Sequence, residues 1–459
     1  MSARKMRSLA LLGFGLVSAS NAYGQAPPAD GTVTVTPPPA QGQVPPPAPP
    51  TQRVEPPVPL QPQPAPPPSE PTAEAPPTAA APTDAAAAQG EPVQSDAEDK
   101  NGVAGWYPGF AIKSKDEKFK LRIGLNAAYR FEPYWVDGES QDRKTFFVLR
   151  PFIEGHIFDD WIRYWTSFEF AANPPYLLDS YIELMPMNEF GLRIGQQWTP
   201  LSRHEYFGPQ EILFPEWAPV AEYFWTGRDK GITALGNIGE GKFEYWAGVY
   251  SGTPLRQFIA IDGNWVLEGR VTVSPMGPVA PKEFVYIVED EVPFRLSFTL
   301  QGYVGSIESA EENFNSSSFR FDVTGTGERQ DKGAVAADVW VQGGPVAALV
   351  EGYYRQTDPE GAQEWNSMGV WGQAGVMVVD RTVDVGVRAN LLDASDDLDN
   401  DMFASIEGQV GFYPVHTQNL QFKLRYGYAH QEDPGVEGAP LFTVPGDHQL
   451  ITAQLMLAF

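Results

Sequence analysis

The chain has 459 residues, 42% hydrophobic and 12% aromatic, with 44 Gly, 44 Pro, no Cys and a formal net charge of -26. That length suffices for a large core or a large closed barrel. The missing Cys excludes disulfides, Cys-ligated zinc, iron–sulfur clusters and thiol catalysis, and the acidity excludes a nucleic-acid partner, whose phosphates need clustered Lys and Arg.

Residues 1–24 read as a secretory signal. Arg4, Lys5 and Arg7 precede the apolar run 9–17, and small residues follow to Ala22 and Gly24, with cleavage fitting after either. The run is shorter than the roughly 20 residues of a spanning helix, so export is expected rather than anchoring. Residues 25–100 are mostly Pro, Ala, Gln, Thr and Val, with runs such as Pro37-Pro38-Pro39 and Pro45-Pro46-Pro47. Proline fixes φ and removes a donor, so this arm is expected to be an extended polyproline II spacer without a core. At roughly 3.1 Å per residue it could reach on the order of 200 Å.

Residues 101–459 are richer in Gly and aromatics and read as one β domain. No stretch there approaches the apolar length of a spanning helix. Alternation takes its place. Phe119, Leu121, Ile123, Leu125, Ala127, Tyr129 and Phe131 share one face, and Lys120, Arg122, Gly124, Asn126, Ala128 and Arg130 the other. The pattern predicts strands at 118–131, 145–158, 161–172, 177–186, 190–198, 228–236, 241–250 and 265–274. It continues at 294–304, 334–342, 345–356, 367–379, 382–391, 402–413, 419–430 and 447–459.

Tight connections such as Asp159-Asp160, Gly343-Gly344 and Asp380-Arg381 alternate with long ones at 132–144, 199–227, 305–333, 357–366, 392–401 and 431–446. Short turns at one end and long loops at the other point to an all-β fold: a transmembrane antiparallel β-barrel of about 16 strands. The connection 275–293 breaks that rhythm. A two-sheet sandwich would also alternate, but this many long strands would divide among several domains. Tyr134, Trp135, Trp161, Tyr164, Trp198, Trp265, Tyr426 and Tyr428 lie near strand ends, where an interfacial aromatic girdle would sit. In the last strand Ile451, Ala453, Leu455, Leu457 and the terminal Phe459 share a face. That ending resembles the signal recognised by the barrel assembly machinery, and closure would remove the open edge.

Arg150 with Phe152-Ile153-Glu154-Gly155, then Asp160-Trp161 and Phe168-Glu169-Phe170, resemble the second and third strands of the phosphate-selective porin O and P family. Leu178-Asp179-Ser180-Tyr181-Ile182-Glu183, Leu192-Arg193-Ile194-Gly195-Gln196 with Pro200-Leu201, and Arg228 with Gly231-Ile232 continue the resemblance. It implies a homotrimeric porin in outer-membrane lipid, whose third loop folds inward and narrows a water-filled channel for small hydrophilic solutes or anions. The Pro-rich arm is not part of the family pattern. It is expected on the periplasmic side, as a spacer or as a tether to peptidoglycan.

Between Thr199 and Gly227 the third loop carries Arg203 beside Glu205, Glu211, Glu216 and Glu222, with Arg228 just beyond it. A phosphate filter wants several converging cations to replace lost hydration. This loop argues instead for a constriction of weak selectivity. Alternation assigns Lys118, Lys120, Arg122, Arg130, Arg150, Arg163, Arg193, Arg270, Arg295, Arg355, Arg388, Lys423 and Arg425 to the pore wall. Glu154, Glu169, Asp179, Glu183, Glu244, Glu268, Asp338, Glu351, Asp384 and Glu407 fall on the same face. Opposed across a wet lumen, such charges favour hydrated solutes. Paired on neighbouring strands, they would stiffen the wall.

His156, His204, His416, His430 and His448 are scattered without metal-ligand spacing, and no nucleophile elbow or phosphate-cradling Gly loop occurs. No enzyme, metal or cofactor is expected. Asp393, Asp396, Asp397, Asp399 and Asp401 lack the glycine and terminal Glu of a calcium loop and read as a solvated external loop. The expected function is passive diffusion of small solutes. The alternative is a structural barrel whose Pro-rich arm ties the outer membrane to the cell wall.

Overall fold

The computed structural model describes residues 104–106, 110–172, 174–252, 265–279, 292–359, 363–433 and 445–459. The expected signal and Pro-rich arm lie outside the described residues. Two short strands, β1 (Ala104–Trp106) and β2 (Phe110–Lys113), come first. The wall begins with β3 (Lys120–Val136), β4 (Glu139–Ile157), β5 (Asp159–Glu169), β6 (Tyr176–Met187), β7 (Phe190–Trp198), β8 (Arg228–Ile238), β9 (Phe243–Tyr250) and β10 (Val266–Val273). It is completed by β11 (Arg295–Asn315), β12 (Arg320–Gly343), β13 (Val346–Pro359), β14 (Trp365–Val379), β15 (Val383–Asp393), β16 (Met402–Phe412), β17 (Leu420–Gln431) and β18 (Gly446–Ala458). Each of β3 to β18 pairs antiparallel with the next, and β18 pairs back onto β3. The result is a closed 16-stranded antiparallel barrel.

Burial runs opposite to that of a water-soluble sheet protein. In β15 and β16, Val387 and Ile406 are 62% and 61% exposed, while their neighbours Arg388 and Glu407 are 1% and 2% exposed. An apolar outside around a charged inside is stable when hydrocarbon surrounds the barrel and every ladder hydrogen bond is made within the wall.

Two predicted long connections are strand instead. Asp137 (φ 47°) and Gly138 (φ 88°) join β3 to β4 in a two-residue turn, so 132–144 is mostly hairpin. Positive φ at both central positions matches the right-handed twist of the flanking strands. The stretch 305–333 likewise lies largely in β11 and β12, which run 21 and 24 residues. About 9–11 residues cross a membrane, so this hairpin continues beyond it. Its pairing shifts between Glu308 and Ala310, where the ladder bends. The connection 275–293 begins as a turn to Val279 and then passes outside the described residues.

The closing seam joins both ends of the described chain. Phe459 N–H donates to the Leu125 carbonyl at 3.0 Å, and Leu125 N–H returns a bond of 2.7 Å. Beyond that point β2 takes over the same edge of β3, from Phe110 opposite Ile123 to Lys113 opposite Lys120.

Candidate functional site in the barrel interior

The 29-residue connection from Thr199 to Gly227, between β7 and β8, lies inside the barrel. Its neck is clasped by Thr199 Oγ1 and Thr226 Oγ1 at 2.6 Å, and Gly227 accepts from Thr199 N–H at 3.2 Å. Pro219 starts the short helix α1 (Pro219–Phe224), all of whose residues are buried. Proline suits the first helical turn because its absent N–H would be unpaired there anyway. The preceding Ala218 N–H donates to His204 Nε2 at 2.9 Å, which fixes the fold of the loop at its centre.

Apolar contacts press the loop onto β12–β14. Phe224 stacks on Tyr353 with centroids 4.8 Å apart and planes at 3°, and Phe207 meets Trp340 at 5.1 Å. Gly369 makes room: a Cβ there would lie 2.6 Å from the Phe224 ring. Polar wall groups then satisfy the loop's backbone. Arg355 donates to Tyr223 O at 2.9 Å, Arg388 to Glu216 O at 2.8 Å, Lys423 to Ile212 O at 2.6 Å and Gln421 to Gln210 O at 2.7 Å. Arg130 donates to Pro215 O and pairs with the Glu216 carboxylate. Loops are rarely buried because their carbonyls need partners. Here the wall cations supply them.

A second element reaches inward. The tip of the β11–β12 hairpin places Phe314 and Phe319, 4% and 0% exposed, inside the barrel. Phe314 lies 4.7 Å from the Phe403 ring, Ser316 Oγ is 2.9 Å from His448 Nδ1, and Arg425 donates to Ser318 O at 3.2 Å. Arg320 bridges the tip to the loop, 3.1 Å from Glu222 and 3.7 Å from Glu216.

These contacts divide the sequence candidates. Arg130, Arg355, Arg388, Lys423 and Arg425 brace the loop or the tip. On the β3–β7 side a cavity of about 640 Å³ stays open between the wall and the loop segment Tyr206–Glu211. Lys118, Lys120, Arg150, Glu154, Arg163, Asp179, Glu183, Glu211 and Arg228 line it. Most of these charges are paired. Arg122 bonds Glu154 across β3 and β4, Arg150 bonds Glu169, Arg193 bonds Glu183 at 2.6 Å, and Arg228 bonds Asp179 at 2.9 Å. Arg163 donates to Asp160 O at 3.0 Å. Elsewhere Arg270 pairs with Glu244 at 3.2 Å and Arg388 with Glu407 at 2.8 Å, while Arg295 is half-buried at the start of β11. Glu268 accepts from Thr226 and Asp384 from Tyr413, each at 2.5 Å.

Within the loop, Arg203 donates to Ser297 and Thr272 and lies 3.7 Å from Asp338, while Ser202 donates to Glu351 at 3.0 Å. Glu211 accepts from Gly208 N–H at 2.8 Å. Its four glutamates therefore do not ring one opening: Glu216 and Glu222 meet Arg320, and Glu205 is 2% exposed. Trp198 and Tyr164, expected in the outer girdle, line the cavity instead; Arg228 sits 4.3 Å over the Trp198 ring.

No protein-family model and no curated protein matches the chain. Solved structures do. The anion-selective porin of Comamonas acidovorans aligns with a TM-score of 0.54 at 11% identity, over 74% of this chain and 100% of its own. OmpT, an outer membrane protein of Vibrio cholerae, aligns at 0.52 and 12% identity, over 76% of this chain and 99% of its own. The outer membrane channel DcaP of Acinetobacter baumannii aligns at 0.50 and 11%, over 76% and 99%. The fold is that of outer-membrane porins. At these identities the likeness is one of architecture.

Arg320, Phe314 and Phe319 fall in the stretch 305–333, which the sequence pattern presents as a long connection. The apolar interior had a legible signal. Trp340, Leu349, Tyr353 and Trp371 share the inward parity of their strands with Asp338, Glu351, Arg355 and Gln373, so large apolar side chains interrupt an otherwise polar inner face there.

Proposed function

We propose that the chain is an outer-membrane porin through which small hydrophilic solutes diffuse passively along the β3–β7 side of the barrel. One observation carries this reading: a charged, aromatic-lined cavity of about 640 Å³ persists beside an inward-folded loop, inside a barrel whose outer face is apolar. The barrel would sit in outer-membrane lipid, with Phe459 closing its terminal strand during assembly. Homotrimerisation is the arrangement that the resemblance to the O and P family implies.

Paired wall charges weaken the net field along the path, so selectivity between small ions is weak in this reading, and Arg150, Arg193 and Arg228 are already engaged by carboxylates rather than free for phosphate. Purified protein in planar bilayers should give stepwise KCl currents, with a reversal potential near zero under a KCl gradient. Absence of any current defeats the porin reading. A channel strongly preferring phosphate over chloride defeats the account of its selectivity.

A further inference from the structure

We propose that the β4–β7 wall of the cavity is a binding site for a neutral, hydroxyl-rich solute of the sugar class. This inference rests on the channel reading and names what the channel takes up.

Charge speaks first. Around the middle of the cavity Arg228 is matched by Asp179, Arg150 by Glu169 and Glu154 by Arg122. At these three pairs an incoming ion meets a charge that is already compensated. Hydrogen-bonding capacity is nevertheless left over. Arg228 is 6% exposed, yet its Nη2 has no hydrogen-bond partner in the protein, and neither do Trp165 Nε1 and Gln210 Oε1. All three residues line this cavity. The three atoms are themselves shielded from solvent, so a ligand engages them through a small side-chain movement; two donors and one acceptor then match a ligand that both accepts and donates, as sugar hydroxyls do. Chloride or a carboxylate can only accept, and any anion would also be carried towards the Asp179 carboxylate.

Shape adds to this. Trp165 stacks on Phe152 with centroids 4.9 Å apart and planes at 10°, and the half-buried Tyr181, Trp198 and Tyr206 continue the aromatic surface. The C–H faces of a sugar ring pack on such flat surfaces while its edge hydroxyls reach polar side chains. The volume of about 640 Å³ falls within the roughly 300–1,000 Å³ of small-molecule sites.

The test uses the full chain and sucrose. In planar bilayers, sucrose should reduce the KCl current saturably, while a polyethylene glycol of similar size reduces it only in proportion to concentration. In detergent, sucrose should change the tryptophan emission with the same half-point. Trp165→Phe keeps a ring on Phe152 and removes the indole N–H, so the half-point for sucrose should rise about fivefold, as loss of one hydrogen bond implies. Trp198→Phe provides a second variant that leaves the Arg228–Asp179 pair intact, and should weaken sucrose likewise. Persistent KCl current without saturation by sucrose overturns the sugar site and leaves the porin reading standing. Sodium benzoate or phosphate saturating in place of sucrose overturns it as well. If no current is seen, the emission titration still decides whether the site exists.

Discussion

Glu216 accepts from Arg130 and faces Arg320, whereas Glu205, in the same loop, forms no ion pair among the described residues. Burial opposes ionisation of Glu216, but Arg130 and Arg320 outweigh it and hold the carboxyl below the usual glutamate range. Burial, reinforced by Glu222 and only partly offset by Arg320, pushes Glu205 well above that range. The signs therefore differ. The contribution of Glu216 to stability is present at neutral pH and is lost as the solution is acidified through the carboxylate range. The fold favours the protonated form of Glu205, so its contribution lowers stability as the pH rises above the usual glutamate range. Glu216→Gln takes from the buried Arg130 its nearest carboxylate and should destabilise by about 3 kcal/mol. Glu205→Gln removes that pH-dependent penalty and should raise stability to urea at pH 7. A comparable loss in both variants would contradict this assignment.

At the scale of elements, the tip of the β11–β12 hairpin and the loop 199–227 act as two inserts that fill the same lumen from different strands. Gly427 permits the tip to seat: a Cβ there would lie 2.9 Å from the Phe319 ring. Replacing residues 314–319 by a short Gly–Ser turn should raise single-channel conductance without changing the stability of the wall, which is held by its own ladders. Unchanged conductance would mean that the tip lies outside the path of ions. Sequence reading was strongest for the wall, because hydrophobic period, turn residues and strand spacing are local signals. Predicted β7 (190–198) matches Phe190–Trp198, and most other strands agree to within a few residues. It was weaker for the inserts. Arg130 reads as a lumen cation from its parity, but only the fold brings the Pro215 carbonyl to it. The pairing of Arg122 with Glu154 needed the register of β3 against β4, which alternation alone does not supply.

For the whole molecule, the inverted burial sets a clear expectation about surroundings. Ile406 lies mid-strand in β16 and is 61% exposed. Ile406→Arg should cost roughly 2–4 kcal/mol for folding into lipid vesicles if that position is near the bilayer midplane, and much less in a detergent that wraps around the guanidinium. Equal effects in both would argue against a hydrocarbon-facing surface. The seam adds a mechanical consequence. Phe110–Lys113 is hydrogen-bonded to the same strand that β18 closes upon. Tension on the chain ahead of Ala104 would thus be delivered to the main-chain ladder of β3, and the joint that completes the cylinder would also be its anchor point for pulling.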